Sequence, residues 1–190
     1  MKKGILAIML LVVASAFTVV NTTWKNDKAH SQLVFTVVHL GVSDVSGTFN
    51  DFDVTVQSSK ADFSDAVFEM KAKVNSIDTR VEARDNHLKS ADFFDADKFP
   101  EMTFKSKKIT KNKKDNYKLT GDLTIHGVTK SVTMDMDYRG KTTNPMNNKE
   151  TIGFQVSGKI KRSDFNIGPS FPELVISDVV HIKFDGEFIK

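Results

Sequence analysis

Apolar and polar residues alternate with a period of two through most of this chain. Phe68, Met70, Ala72 and Val74 alternate with Glu69, Lys71 and Lys73; Tyr117, Leu119, Gly121, Leu123 and Ile125 alternate with Lys118, Thr120, Asp122 and Thr124. The same rhythm sets Val132, Met134, Met136 and Tyr138 against Thr133, Asp135, Asp137 and Arg139. It sets Ile152, Phe154, Val156 and Ile160 against Gln155, Ser157 and Lys159, and Val180, Ile182 and Phe184 against His181, Lys183 and Asp185. Successive side chains of a strand point to opposite faces, so each segment predicts a strand with one apolar and one wet face. Less regular runs rich in Val, Phe and Thr at 32–40, 48–57 and 102–109, with a short run near Trp24, predict eight or nine strands in all. His126 and Gly127 between Ile125 and Val128 predict a two-residue hairpin turn, and the Asn-rich stretches 112–116 and 144–148 predict longer ones. A sheet of this size with one wet face and no helices to cover it closes most simply into an antiparallel barrel.

One stretch breaks the alternation. Thr79 followed by Glu82 reads as a capping box, predicting a helix to about Lys89 that carries Val81, Arg84, His87 and Leu88. An irregular segment with Phe93, Phe94 and Phe99 then runs to Pro100, placed to cover or gate one end of the barrel. The fold class predicted is therefore all-β: an antiparallel barrel of eight or nine strands with one short helix and a loop insertion around 79–100.

The first residues change where the chain is expected to work. Lys2 and Lys3, the apolar run 4–13 and the small-x-small triplet Ala14, Ser15 and Ala16 read as a cleavable export signal over 1–16, leaving one domain over 17–190. The formal charge of +3 falls to +1 when Lys2 and Lys3 leave, with 25 basic residues against 24 acidic. A near-neutral mature chain argues against a nucleic-acid binder. The Lys-rich stretch 107–114 falls between strand patterns and reads as a solvated hairpin loop. The chain has no Cys, which removes disulfides, thiol nucleophiles and Cys metal sites. Two Tyr and one Trp are too few for the two aromatic girdles of a membrane barrel. Fifteen Phe predict an interior that is dry and poor in hydrogen-bonding groups.

Candidate chemistry is sparse. The five His stand at 30, 39, 87, 126 and 181, with no metalloprotease or His-x-His spacing, and no nucleophile elbow or phosphate loop is present. Asp135 and Asp137 share a strand face and read as exposed residues rather than an acid–base pair. Arg84 and His87 on the helix, and Arg162 in the segment 161–165, are candidates to meet an anionic head group, since a guanidinium can hold phosphate or carboxylate in two places.

Several motifs in order carry a resemblance. They are Trp24, Asp27, His30 and Ser31; Phe35, His39, Leu40 and Gly41; Ser46 to Phe49; Ser76 to Thr79; Arg84 to Ser90; Asp92 to Asp95; Phe99 and Pro100; Gly121 to Lys130; and Arg162 to Phe165. With these the chain resembles the YceI-like family of lipid- or polyisoprenoid-binding proteins. Asn166 stands where that family often has Gly, and Asn is the usual non-Gly choice for a left-handed bend. The resemblance implies an extended eight-stranded antiparallel, lipocalin-like barrel with a long apolar tunnel for an isoprenoid or similar amphiphile, located in the bacterial periplasm or outside the cell; it does not imply catalysis. No cofactor and no metal are expected.

The expectation is a soluble, exported binding protein that transports, stores or sequesters a long-chain lipid. Phe35, Phe68, Met70, Phe93, Phe94, Phe104, Leu123, Met134, Phe154, Phe165 and Ile182 are expected to line its tunnel, with Arg84, His87 and Arg162 reading the head group. A lipid-modifying enzyme, or a solid-cored structural barrel, are the alternatives. The expected partner is the lipid itself, without nucleic acid or stable membrane insertion; a homodimer stays open.

Overall fold

The computed structural model describes residues 21–190. The signal predicted at 1–16 lies outside the described residues. Ten strands form one antiparallel sheet: β1 (Thr22–His39), β2 (Ser43–Phe49), β3 (Phe52–Ser58), β4 (Val67–Lys73), β5 (Ile77–Asp78), β6 (Glu101–Lys113), β7 (Asn116–Ile125), β8 (Val128–Thr143), β9 (Glu150–Lys161) and β10 (Val179–Ile189). A single α-helix, α1 (Glu82–Lys89), and two 3-10 turns, Val74–Ser76 and Arg162–Phe165, complete the described chain.

β1 closes the barrel. Its first residues pair with β3, and β10 pairs along most of its length, so β1, β3, β4 and β6 to β10 make an eight-stranded ring. In its second half the partner opposite β10 becomes β2, which in turn holds β5. The sequence separated a run near Trp24 from the run 32–40; the structure joins them into one 18-residue strand. A bulge between Asn26 and Ser31 lets the strand continue. Conversely, the predicted run 48–57 divides into β2 and β3, because the chain shifts at Asn50 and Asp51 from one segment of β1 to another. Among the described residues no strand pairs the outer edge of the two-residue β5. α1 and the segment after it occupy that end, with the Val74 N–H donating to the Pro100 carbonyl and the Phe94 ring set edge-on to Phe49.

The turns predicted at 126–127 and 144–148 form where expected, whereas the Lys-rich stretch read as a hairpin loop is strand: β6 runs through Lys113 and only Lys114 and Asp115 make the turn, because cross-strand pairing with β7 continues to Asn116. His126 and Gly127 both take positive φ, as a tight hairpin turn requires, and Asn166 adopts the left-handed conformation. The capping box does not form. The helix begins at Glu82 with Val81 as an uncapped N-terminal residue, and the Thr79 N–H and hydroxyl both donate to Asp85 instead. A positive φ at Arg80 turns Thr79 away from the helix axis, so its hydroxyl meets the side of the helix rather than its first N–H groups.

Inside, the two ends differ. Around Phe154, which is fully buried, stand Phe63 and Phe68 (centroids 5.1 Å away in each case), Tyr138 (5.3 Å) and Phe188 (5.8 Å). These contacts are mostly edge-to-face, the preferred aromatic geometry. They plug the end where β1 begins. Phe63 reaches the plug from the β3–β4 connection at φ +55°. Asp65 holds that connection by accepting from the Ser58 and Ser59 hydroxyls and the Ser59 and Lys60 N–H groups, and the Tyr117 hydroxyl donates to the Asp62 carbonyl at 2.9 Å. Gly121 is needed beside this packing, because a Cβ there would stand 2.6 Å from the Phe104 ring and 2.4 Å from the Lys105 carbonyl oxygen.

Two outcomes follow. Phe154→Ala removes the centre of the plug and is expected to cost about 3–5 kcal/mol in urea unfolding. Burial pushes the Asp65 carboxyl up, but the hydrogen bonds it accepts outweigh burial and leave it well below the usual carboxylate range. A depressed folded-state value stabilises above the unfolded value, so this contribution is complete above about pH 5 and is lost as pH falls through about 3.9 and below. Urea titrations should show Asp65→Asn less stable than wild type at pH 7, with the difference shrinking below about pH 4.

Candidate functional site

The other half of the barrel is hollow. A cavity of about 430 Å³ runs from the plug to the end bearing α1, within the range of small-molecule sites. Phe68 belongs to both the plug and the cavity wall, so the aromatic cluster is the cavity floor. The walls come from inward positions of β1, β3, β4 and β6 to β10, which is why period two in the sequence foretells them.

Of the residues expected to line a tunnel, Phe35, Phe68, Met70, Phe93, Phe94, Phe104, Leu123, Met134 and Ile182 stand on this wall. Phe154 and Phe165 do not. Phe154 lies a layer deeper, inside the plug, because alternation reveals which face a side chain takes but not its height along the barrel axis. Phe165 is buried in the 3-10 turn after β9, where its carbonyl lies 3.3 Å from His126 Nδ1. Phe49 and Phe171 line the cavity and were missed. Phe49 sits on a run whose alternation is weak, and Phe171 belongs to a loop with no periodicity. Phe171 nonetheless stacks on Phe93, with centroids 4.7 Å apart, and joins the two segments that cross the cavity end.

The polar groups gather at that end. Arg84 donates from Nε to the Thr79 hydroxyl and from a terminal nitrogen to the Thr79 carbonyl, both at 2.7 Å. That clasp fixes the guanidinium at the cavity edge. His87 Nε2 lies 3.1 Å from an Asp92 carboxylate oxygen, and its ring meets the edges of Phe93 and Phe171. Both residues line the cavity.

Arg162 also reaches the wall, but its role differs from the expected one. It is buried, and its Nε and terminal nitrogens donate to five backbone carbonyls, those of Ile167, Gly168, Phe171, Ile176 and Ser177. A guanidinium has five N–H donors, so none is left for a head group. Arg162 is the pin of the loop 166–178. Asp178 assists: burial pushes its carboxyl up, and bonds from the Ser163 N–H and hydroxyl, with the Arg162 charge nearby, pull it lower still. The pinned loop then docks on β1, with the Leu40 N–H donating to the Val175 carbonyl at 3.0 Å and the Ser177 N–H to the Val38 carbonyl at 2.9 Å.

The chemistry of the wall is narrow. Its titratable members are His39, Arg84, His87 and Arg162; no carboxylate, hydroxyl, thiol or amine lines the cavity among the described residues. Asp27, His30 and Glu187 bring potential ligand atoms within 4.8 Å of one another, but at the β1 bulge rather than on the cavity wall. There both Asp27 oxygens are engaged, by His30 Nδ1 and the Ala29 N–H, and the group serves as the clasp of the bulge.

Comparison with known proteins agrees with this architecture. The YceI-like domain matches residues 24–188. A UPF0312 protein of Staphylococcus aureus strain N315 is 43% identical over 146 residues, spanning 77% of this chain and 82% of the relative. The crystal structure of Burkholderia cenocepacia BcnA superposes with a TM-score of 0.77 at 27% identity, covering 85% of this chain and 98% of BcnA. A domain from Saccharophagus degradans, described as polyisoprenoid binding and implicated in plant cell wall breakdown, shares the fold with a TM-score of 0.66 at 15% identity, covering 88% of this chain and 97% of that domain. A closed barrel with this helix insertion, matched by the domain family over nearly all of its described length, makes the chain a member of the YceI-like family.

Proposed function

We propose that this protein holds one long-chain isoprenoid or related amphiphile in the blind cavity, as an exported carrier or store. The observation that carries the reading is a floored, hydrocarbon-lined cavity whose cationic side chains stand at its far end. The tail lies along Phe104, Leu123, Met134 and Ile182 toward the aromatic floor. The head rests near Arg84 and His87. Each enclosed CH₂ contributes about 0.8 kcal/mol, so ten carbons supply about 8 kcal/mol before ordering costs, enough for binding without any catalytic group. The polyisoprenoid-binding description of the Saccharophagus domain, which shares this fold, supports the ligand class. The signal read at 1–16 supports a place in the periplasm or the medium.

Mass spectrometry of organic extracts from purified protein, and rebinding of a prenyl alcohol to delipidated protein, test the reading. Retention of a prenyl or acyl chain at micromolar protein is expected; an empty extract together with no rebinding overturns it. Met134→Trp fills the cavity from its wall and is expected to abolish prenyl-alcohol binding while the far-UV spectrum stays that of a folded barrel. Arg84→Met with His87→Ala is expected to weaken a prenyl monophosphate by about tenfold or more while sparing the alcohol, since a charge-assisted hydrogen bond contributes about 1.5–3 kcal/mol. Isothermal titration with the two ligands measures the split.

A further inference from the structure

Of the six large apolar side chains that the described fold leaves exposed, three stand at one end on two joined loops. Val42 is 83% exposed, Leu174 78% and Leu40 51%. Leu40 and Val42 sit on the β1–β2 turn, and Leu174 on the loop 166–178, which are joined to each other by the Leu40 N–H to Val175 carbonyl bond and by the His39–Ile176 bridge. The three therefore form one patch. His39, next to Leu40, and Val175 and Ile176, which follow Leu174, line the cavity. Apolar side chains thus lead from the cavity wall through Val175 and Ile176 to these tips, with His39 beside them and the exposed Asp44 and Glu173 flanking them. Nor is the exposure slack: the Arg162 carbonyl bonds fix one loop, and strand pairing from His39 to Ser43 fixes the other.

We infer that this rim is a docking surface for a lipid bilayer, through which the cavity exchanges its ligand. The inference rests on the lipid-holding reading above. The occupant follows from shape and continuity. Leu40 and Val42 sit on a tight turn with positive φ at Leu40 and Gly41, so the patch is a set of separate tips rather than a flat or grooved face. A protein partner needs about 800 Å² of complementary surface on each side, whereas a fluid bilayer accommodates isolated tips. A hydrocarbon chain crossing water exposes every CH₂ it had buried. A mouth whose apolar rim enters the interface lets the chain pass from acyl chains to cavity wall without that exposure. Ile167 and Phe171, held by Arg162, would then lie on the path between bilayer and cavity.

Flotation of the mature protein with phosphatidylcholine vesicles tests this directly. Leu40→Asn preserves the positive φ that Asn tolerates, while Val42→Asp and Leu174→Asp alter exposed tips, so all three should fold. Each is expected to reduce vesicle partitioning by about tenfold. Met146→Asp serves as the control, being 91% exposed on the β8–β9 turn at the opposite end; it is expected to change nothing. Binding of a prenyl alcohol in the absence of vesicles should be equal in all variants, and transfer of that alcohol between vesicle populations should slow only in the rim variants. Flotation that survives the triple rim substitution, or that Met146→Asp weakens equally, overturns the proposal. So does a wild-type dimer in sedimentation that Val42→Asp dissolves, because the tips would then serve a second copy. Vesicle docking that depends on the rim in a protein that retains no prenyl or acyl chain would instead sink the ligand reading and leave the surface standing.

Discussion

The hydrogen bonding of β1 along both edges is the constraint from which the rest of the molecule follows. An open sheet with one apolar face must find another layer to cover it, and the described residues offer a single short helix. By pairing with β10 on one side and with β3 and then β2 on the other, β1 turns the sheet's apolar face into an interior and removes the two long free edges. The bulge at 27–30 is part of the same solution, because it allows one strand to serve the ring over 18 residues. Once the ring is closed, period two in the sequence becomes inside and outside in space.

Closure leaves open how the interior is filled. Eight strands make a barrel only just wide enough for side chains to fill. Here the fill is uneven. Phe63, enforced from a connection by the Asp65 hydrogen bonds, brings an extra ring into one end and completes an aromatic stack around Phe154. In the other half β2 takes the place of β3 beside β1 and pairs only the two-residue β5 beyond it, and α1 with the loop 166–178 lines that end without filling it. Plug and cavity are two outcomes of the same apolar pattern, decided by whether a loop contributes a side chain to the centre.

The polar groups at the open end are spent on architecture before function. A buried guanidinium without satisfied donors would be strongly unfavourable, and here five carbonyls of a single irregular loop satisfy it. The same bonds give a loop without periodicity a defined path, which sets Phe171 against Phe93 and presents Leu174 to solvent. Arg84 is likewise clasped by Thr79, though only through some of its donors, so its outer nitrogens remain available at the cavity edge.

Alternation alone determined that this is an antiparallel barrel, which side chains point inward, and where the tight turns fall. These properties depend on local stereochemistry, and residue identity reports on that directly: period two for the strands, Gly127 and Asn166 for left-handed backbone. Seven of the eleven proposed tunnel positions are strand residues that lie on the cavity wall for the same reason, while Phe93 and Phe94 reach it from the irregular segment after α1. Tertiary structure decided the remainder. Phe154 and Met134 follow the same inward pattern, yet one is plug and the other wall, because depth along the axis depends on strand stagger and on a ring delivered by a distant loop. Arg162 looked like an anion reader and became a loop pin, because its partners are carbonyls, which every residue possesses and no sequence distinguishes.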